Sequence, residues 1–475
     1  MFDILEKSIE FGQKLGADVV EARREDLILR TLHRSDDIWK DIQVKSRMGF
    51  GITCYVDGVS GFSYTASQEE KDVLDTTEKA FKIAKASSEI AKLKLPFDER
   101  DPFKSKKSDS WSVKKHPLDF DLSYKTDLVN RAVETARAHG ENIRNIRGLY
   151  GELYGTKQFY NSEGTKLDWN FLVLDLRVSV TSKTESGANV MGAESYGGTF
   201  GLETYDKDDY QPEKMGKKAA LDAKEQLSAK ACPAGVFRSL IENELAGVLA
   251  HESFGHLSEA DFVVTNASPL TGKMNEQLGT ENATIIDAGT PNLAKFGGLW
   301  VPYDDQGTPA SDTIVLDKGV LKHYLHDRGT AQNQNQVPTG NSRAINYIFP
   351  PIVRMTNTYF APGSLNEEEA LELLNKGVYA IQSYGGQVEG NGSFLFKAFR
   401  GYWVENGEIQ YPIREVSLSG NILQLLGKIE GATNDLKIRS GYFGGCGKGK
   451  QSPLPVGLGG PKLVVDGVMF GGKTE

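Results

Sequence analysis

The sequence predicts an α+β protein with an N-terminal α/β domain of helices and mixed strands and a C-terminal, mainly antiparallel, barrel-like β domain. Its 475 residues exceed the usual size of a single domain. Helical and strand patterns alternate in the first half, whereas helical patterns become rare after Cys232. Glycine rises in the same region, with 20 of the 51 glycines between residues 385 and 475. These observations predict two domains, at residues 1–230 and 231–475.

The N-terminal domain begins with an amphipathic helix, because apolar side chains recur at helical spacing over residues 2–16. Strands are predicted from residue 19 to residue 65, with turns at residues 57–58 and 60–61, where aspartate or serine precedes glycine. A Ser-x-x-Glu pattern at residues 67–70 is typical of a capping box and predicts the start of a second helix there.

Residues 95–120 are charged and interrupted by proline, which is typical of a connection between subdomains. We therefore expect the N-terminal domain to divide into subdomains 1–95 and 118–230. The second subdomain repeats the order helix, strands, helix. Its elements are predicted at residues 123–139, 149–160, 172–181 and 212–229.

Short strands joined by tight turns dominate the predicted C-terminal domain. Apolar runs stand on either side of a Lys-Gly turn within residues 313–321, and of an Asn-Gly turn within residues 401–409. One helix is predicted over residues 366–376, where acidic residues occupy the first turn. Hairpins of this kind favour an antiparallel barrel or sandwich.

The bulk composition argues against several classes of protein. The formal net charge is −9 and the isoelectric point is near 5.5, which is unfavourable for a surface that binds nucleic acid directly. Three cysteines far apart in the sequence do not form a disulfide framework. The first residues lack the pattern of a signal peptide, and no apolar run is long enough to span a membrane. We expect a cytoplasmic protein without a membrane partner.

A short motif with two imidazoles and a carboxylate follows an apolar run: His251, Glu252 and His256. Neutral imidazole is a good zinc ligand, and a carboxylate beside a zinc-bound water can take its proton. The familiar zinc hydrolase motif is H-E-x-x-H, and this chain has one residue more. Residues five apart on a regular helix point about 140° apart, so the helix must end, widen or bend between the histidines. Gly255 permits such a distortion.

A catalytic zinc commonly has three protein ligands, and the motif supplies two. Further candidates are His323, His326, Cys446 and several carboxylates. Cys446 is favoured because its flanking glycines let the backbone approach an ion and leave the sulfur uncovered, while two nearby lysines favour the thiolate. His323 and His326 alternate along a predicted strand, which favours surface or packing roles for both.

Each of these features also has a simpler explanation. The two motif histidines can close a helix against its dipole, with a solvated glutamate between them. Cys446 can be a small buried apolar residue in a glycine-rich turn. Asp304 and Asp305 can bind a cation or form a solvated turn, of which the turn is the more common. The glycines at residues 457–460 lack the strand–glycine–helix context of a nucleotide-binding loop.

Eight short segments, taken together and in order, resemble the TldD branch of the TldD/PmbA family. Together they extend over residues 230–472, and the N-terminal half resembles the family only in its helix and strand arrangement and in the turn at residues 161–164. The matching segments are residues 248–256, 304–309, 324–328, 338–343, 354–359, 385–388, 405–407 and 445–448.

This resemblance implies a zinc metallopeptidase in which His251, His256 and Cys446 hold Zn²⁺ and Glu252 is the general base. Family members, also called modulators of DNA gyrase, degrade unfolded or flexible peptides. They pair as dimers, often an active TldD-like subunit with a PmbA/TldE-like paralogue that lacks the motif. The peptide enters a cavity between the subunits as an extended strand. The resemblance therefore implies a homodimer or a heterodimer here.

Four polar residues near the expected pocket are candidates for substrate binding, although structural hydrogen bonding in turns is the more common role for each: Asn341, Arg343, Arg354 and Asn357. The glycine-rich strands beside Cys446 are suited to pairing with an extended substrate. Two other functions are compatible with the sequence. One is a non-catalytic binding or dimerisation subunit. The other is a thiol hydrolase in which Cys446 is a nucleophile paired with a histidine.

Overall fold

The computed structural model describes residues 2–92, 94, 106–389 and 391–471. Within these ranges the chain mixes helices with strands, and its C-terminal part contains a closed five-stranded β-barrel. The predicted α+β class is therefore confirmed. Across the described ranges, no helix combines the length and the apolar character needed to cross a membrane.

The N-terminal part contains one sheet, and its described residues form four α-helices. The helices are α1 (Phe2–Leu15), α2 (Glu70–Ser88), α3 (Leu122–His139) and α4 (Pro212–Glu225). The strands are β1 (Val19–Ser35), β2 (Ile38–Val56), β3 (Val59–Thr65), β4 (Lys106–Asp109), β5 (Ile143–Asn161), β6 (Lys166–Lys183) and β7 (Asn189–Gly198).

These seven strands form a single sheet in the order β3-β2-β1-β5-β6-β4, with β7 also paired to β6. All pairs are antiparallel except β4 with β6. Helices α1 and α2 pack on the β1–β3 end, and α3 and α4 pack on β5, β6 and β7. Because β1 pairs with both β2 and β5, the segments predicted as subdomains 1–95 and 118–230 share this sheet.

Local details of the N-terminal part differ from prediction in three places. The turn at residues 57–58 is present, but residues 60–61 lie inside β3. The predicted capping box does not form, because Ser67 Oγ accepts a hydrogen bond from the backbone of Glu69 and no side chain caps α2. The predicted connection contains β4, a strand that its charged sequence does not indicate. Residues 95–105 of this connection lie outside the described ranges.

The C-terminal part is richer in short strands. Its α-helices in the described residues are α5 (Asn243–Val248), α6 (Ala260–Val264), α7 (Arg328–Asn333), α8 (Glu367–Leu374) and α9 (Ile422–Leu426). Its strands are β8 (Lys230–Ala231), β9 (Gly235–Ile241), β10 (Ile285–Ala288), β11 (Asp312–Asp317), β12 (Val320–Leu321), β13 (Ser342–Arg343), β14 (Ile352–Val353), β15 (Asn357–Phe360), β16 (Gly377–Val388), β17 (Ser393–Glu405), β18 (Glu408–Arg414), β19 (Ser417–Asn421), β20 (Ile429–Ala432), β21 (Lys437–Arg439), β22 (Cys446–Lys448), β23 (Gln451–Leu454), β24 (Gly457–Gly460) and β25 (Leu463–Gly471).

The barrel closes through the ring β16-β9-β25-β19-β17, because β17 returns to pair with β16. Most neighbours in the ring are antiparallel, with β16 and β9 parallel. A second sheet has the order β12-β11-β10-β15-β24-β21. Both predicted hairpins form, β11–β12 around Lys318-Gly319 and β17–β18 around Asn406-Gly407. Helix α5 lies between barrel strand β16 and β24 of the second sheet, where the largest apolar cluster is buried.

Buried charges join the two parts of the chain. Arg328 of the C-terminal part lies 3.3 Å from the carboxylate of Glu21 on β1 and also bonds Glu163. Gln306 donates to the hydroxyl of Tyr55 over 3.1 Å. Burial raises the pKa of Glu21 to about 8, although the guanidinium of Arg328 opposes that shift. Because a buried charge without a partner is costly, these contacts fix the orientation of the N-terminal sheet against the C-terminal part.

Candidate metal centre

The H-E-x-x-x-H motif lies on a π-helical turn. Helix α5 begins after Glu242, whose side chain accepts a hydrogen bond from the backbone of Glu244, and runs directly into the π-helical turn Leu249–Gly255. The backbone N–H of His256 donates to the carbonyl of His251, five residues earlier. This wider turn brings residues five apart onto one side, which a regular α-helix does not do. Of the three predicted distortions, the helix therefore widens.

Gly255 contributes to this turn by its small size. Its backbone is not in the left-handed region, so the conformational freedom of glycine is not needed there. A β-carbon at this position would instead collide with the sulfur of Met355. The glycine therefore allows the widened turn to pack closely against the segment that leads into β15. The sequence correctly pointed to Gly255, but the predicted reason, its conformational freedom, is wrong.

The two motif histidines converge with Cys446. One ligand atom from each of the three residues lies within 4.8 Å of the other two. Cys446 Sγ is 3.4 Å from His256 Nε2, and the centroids of the two imidazole rings are 5.2 Å apart. His251 and Cys446 are each only 2% exposed, and His256 is partly buried. The local motif thus meets a residue that lies 190 positions away in the sequence.

The charges around this cluster favour a thiolate. Burial alone would raise the pKa of the Cys446 thiol, but the imidazoles of His251 and His256 hold that pKa well below its ordinary value of 9.0. Burial likewise acts to lower the pKa of His256, but hydrogen bonds with Cys446 and Glu259 raise that pKa well above 6.5. Thiolate is the form of cysteine that binds metal ions.

The hairpin β22–β23 holds Cys446 in place. Cys446 pairs with Leu454, and the fully buried guanidinium of Arg354 donates to the carbonyls of Cys446 and Gln451 over 2.6 and 3.3 Å. Gly445 has φ +141°, and a β-carbon there would overlap the backbone of Leu454. These contacts turn the sulfur inward. The prediction that flanking glycines leave it uncovered is therefore wrong.

Glu252 lies at the edge of an open cleft with a volume of about 350 Å³. The cleft is lined by Arg177 of β6 and by charged, apolar and glycine residues of the C-terminal part. Its two arginines are engaged, Arg177 with Asp175 and Arg439 with Glu244. In the described part of the chain, Glu252 has no hydrogen bond to another side chain. Its carboxylate is therefore available to a molecule in the cleft.

One wall of the cleft is an unpaired strand edge. Strand β16 pairs with β17 along its whole length, but its pairing with β9 ends at Ala380. Gly385 and Gly386 line the cleft beyond that point, and so do glycines of the loop before Cys446. Among the described strands, none pairs with the second edge of residues 385–388. Backbone N–H and C=O groups on this edge can therefore bond an extended chain.

Three residues contact the cluster or its hairpin: Glu259 and Asp261, which the sequence did not identify, and Lys448, to which it gave another role. Glu259 Oε2 lies 3.0 Å from His256 Nδ1, and Lys448 lies 3.2 Å from the same carboxylate. Lys448 also bonds both carboxylate oxygens of Asp261 over 2.7 Å. The lysine that was expected to favour the thiolate is thus paired with carboxylates. The sequence did contain a signal for Glu259, because it stands three residues after His256 and helical spacing brings such residues together.

The remaining metal-ligand candidates lie elsewhere. His323 is exposed, whereas His326 is buried with its Nδ1 3.3 Å from Thr330 Oγ1, so surface and packing roles are confirmed although the segment is not a strand. Asp304 and Asp305 form a turn, as expected, but a buried one. Asp304 accepts three backbone hydrogen bonds, and Asp305 accepts one and faces Arg23. The prediction that this turn is solvated is wrong.

The four candidates for substrate binding are buried, with at most 5% exposure, and bond other parts of the protein. Asn341 bonds Asp287 and a backbone carbonyl, and Asn357 spans the backbone of residues 288 and 299. Arg343 donates to two backbone carbonyls, as Arg354 does at the Cys446 hairpin. Of the two explanations that the sequence left open, this geometry favours structural hydrogen bonding.

The cluster fits a zinc ion by the chemistry and spacing of its donors. Nitrogen and sulfur ligands of tetrahedral zinc lie about 3.5 Å from one another, which agrees with the 3.4 Å between Cys446 and His256. Two imidazoles and one thiolate are a typical zinc donor set and leave one position open. Within the ranges that the structure covers, no other three His, Cys, Asp or Glu side chains converge in this way.

Comparisons with known proteins agree with this geometry. Residues 234–472 match the PmbA/TldA metallopeptidase C-terminal domain, and residues 115–227 match the central domain of the same family. Metalloprotease MJ0996 of Methanocaldococcus jannaschii is 35% identical over 428 residues, covering 88% of this chain and 90% of that protein. A zinc metalloprotease TldD homologue of Saccharolobus solfataricus is 35% identical over 52% of this chain and 54% of its own length.

A solved structure supports the same relationship. A protein of Thermotoga maritima, described as a modulator of a DNA gyrase, superposes with a TM-score of 0.79 and 25% identity, and the match covers 99% of both chains. The fold, the family match and the similarity to curated metalloproteases all agree with the resemblance found in the sequence. The chain belongs to the PmbA/TldD family of metallopeptidases.

Proposed function

We propose that this protein is a zinc-dependent peptidase that hydrolyses unfolded or flexible peptides bound as an extended strand. His251, His256 and Cys446 would hold the zinc, and Glu252 would act as the general base. The observation that carries this proposal is the convergence of three typical zinc donors within 4.8 Å, beside a cleft that contains the motif carboxylate. A relative of this chain bears the name zinc metalloprotease, which supports the choice of metal.

Glu252 would transfer the protons of the reaction beside the bound metal. When bound, zinc supplies Lewis acidity that polarises the scissile carbonyl and makes a water molecule easier to deprotonate. Glu252 accepts the proton of the attacking water at its carboxylate and delivers it to the leaving amine. The partly exposed position of Glu252 in the cleft suits this exchange with a bound peptide.

Substrate binding would use the unpaired edge of β16. A peptide strand beside residues 385–388 would lie along the cleft that Glu252 borders. Hydrogen bonds to the main chain do not depend on side chains, so they favour chains without structure over particular sequences. The glycine residues that line the cleft leave room for an extended backbone. These features support unfolded or flexible peptides as the substrate class.

A thiol hydrolase is the competing function, because Cys446 and His256 are 3.4 Å apart and the pKa of the thiol is lowered. The 2% exposure of Cys446 argues against it, since a nucleophile must reach the substrate. A binding subunit without activity would not need the available carboxylate of Glu252.

Metal removal tests the proposed activity. We expect a zinc chelator to abolish hydrolysis of a disordered casein-like substrate, and added zinc to restore it, because the three-residue cluster holds the ion. The measurement is the rate of peptide release before chelation, after chelation and after zinc is returned. A thiol hydrolase would stay active in the chelator, and a binding subunit would be inactive throughout, even with a PmbA/TldE-like paralogue added. Either result would contradict the proposal.

We also propose that the protein works as a dimer, either of two copies or with a PmbA/TldE-like paralogue. The support is the family resemblance, in which the peptide cavity lies between subunits. Light scattering after size exclusion should give about twice the chain mass of 52.1 kDa for a homodimer. A chain at 52.1 kDa that is inactive alone would indicate the paralogue as partner. A monomer with full peptidase activity would contradict the dimer.

A further inference from the structure

The zinc donors come from two elements that no strand pairing joins. His251 and His256 lie on the π-helical turn, whereas Cys446 begins the two-stranded sheet β22–β23. A metal site is better formed when packing and hydrogen bonds from neighbouring groups hold its ligands in place. The contacts that connect these two elements therefore decide how well the site is formed.

A buried ion-pair cluster makes this connection. Lys448, two residues after Cys446, reaches from β22 to Glu259 at 3.2 Å and to Asp261 at 2.7 Å. Its ammonium also donates to the carbonyl of Val353 over 2.9 Å and lies 4.2 Å from the centroid of the Phe262 ring.

The burial of this cluster shows that it is built into the fold. The side chain of Lys448 is 9% exposed and that of Glu259 is fully buried. Asp261 is the more exposed carboxylate, at 34%. A lysine that gives up this much hydration needs several partners, and these four supply them.

Glu259 connects this ion pair to the metal cluster. Its Oε2 lies 3.0 Å from His256 Nδ1, so the carboxylate can accept a hydrogen bond from the Nδ1–H group. That hydrogen bond fixes the ring orientation and leaves the lone pair of Nε2 free, on the side where Cys446 Sγ is 3.4 Å away. One carboxylate oxygen therefore serves both the ligand imidazole and the lysine of the ligand hairpin.

We infer that Glu259 and Lys448 are positioning residues that hold His256 and the Cys446 hairpin in register for zinc. Glu259 orients the imidazole, and Lys448 ties the cysteine strand to the same carboxylate. Neither residue lines the cleft that Glu252 borders, so each acts through a ligand. This inference rests on the proposed zinc site and adds to it two residues that lie outside the donor set.

Metal binding to the full-length chain tests the inference. We expect Lys448→Met to weaken zinc binding by about 10–100-fold, as loss of an outer-shell partner does. With Co²⁺ in place of zinc, the thiolate-to-metal absorption band should be weaker or shifted, because Cys446 is no longer held in register. Lys448→Arg should restore most of both signals. The matched control is Lys450→Met, which removes an exposed lysine two residues further along the same hairpin.

The outcomes separate the two claims. If the wild type binds metal and a folded Lys448→Met chain shows the same affinity and the same cobalt spectrum, the positioning role is wrong and the zinc site stands. If Lys448→Met does not fold, Glu259→Gln replaces it, since an amide keeps the shape but loses the charge. That variant should also weaken zinc binding, and unchanged binding would again overturn the inference. A wild-type chain that binds neither ion would overturn the proposed function itself.

Discussion

Replacement of Glu252 by glutamine should abolish most of the peptidase activity and leave the zinc content unchanged. The carboxylate borders the cleft next to His251 and has no competing side-chain hydrogen bond in the part of the chain that the structure describes. An amide has almost the same shape but cannot accept the proton of the attacking water. General bases typically contribute 10²–10⁴-fold, so we expect kcat to fall by about that factor. Steady-state kinetics and metal analysis of the same preparation measure both effects.

The control for this experiment is Glu281→Gln, an identical chemical change at an exposed position. It should leave kcat and zinc content at their wild-type values. If Glu252→Gln loses the metal as well as the activity, the side chain supports the ion and its assignment as the base fails. If Glu252→Gln keeps full activity, the base lies elsewhere in the cleft.

The motif spacing carried much of the information about this site. His251 and His256 are five positions apart and cannot lie on one face of a regular helix, so geometry alone required a distortion. Cys446 was only one of several candidates for the third ligand when the residues alone were considered. The argument for it assumed an exposed sulfur, whereas the sulfur is buried. The family resemblance supplied that ligand. Long-range pairing, here over 190 residues, leaves no periodic signal in a single sequence.

Fold prediction succeeded where the local sequence pattern was strong. It failed where pairing with a distant segment determined the secondary structure. The helix at Leu122–His139 and the hairpin around Asn406-Gly407 follow from local patterns. Strand β4 does not, because its charged residues form a strand only by lying beside β6. Tertiary packing likewise determines the buried turn at Asp304, since its oxygens are satisfied by backbone groups as distant as Ser342.

Replacement of Cys446 by serine should remove zinc and activity together. Serine has nearly the same size, but its hydroxyl stays protonated at neutral pH and is a poor ligand for zinc beside two imidazoles. Loss of an outer-shell partner already costs about 10–100-fold in affinity, so loss of a direct ligand should cost more than about 100-fold. Zinc content after dialysis and affinity by competition with a chelator measure this loss. Circular dichroism verifies that the variant is folded.

The matched control is Cys232→Ser, which makes the same change in a buried free thiol whose Sγ bonds the carbonyl of Pro233. It should keep both zinc and activity, because this thiol is not part of the cluster in which His251, His256 and Cys446 converge. The zinc content and the peptidase activity of Cys446→Ser together distinguish the roles of the sulfur. If Cys446 is a metal ligand, both should be lost. If Cys446 is a nucleophile, activity should be lost while zinc content stays full. A Cys446→Ser chain that retains zinc would therefore exclude the ligand assignment, whatever happens to turnover.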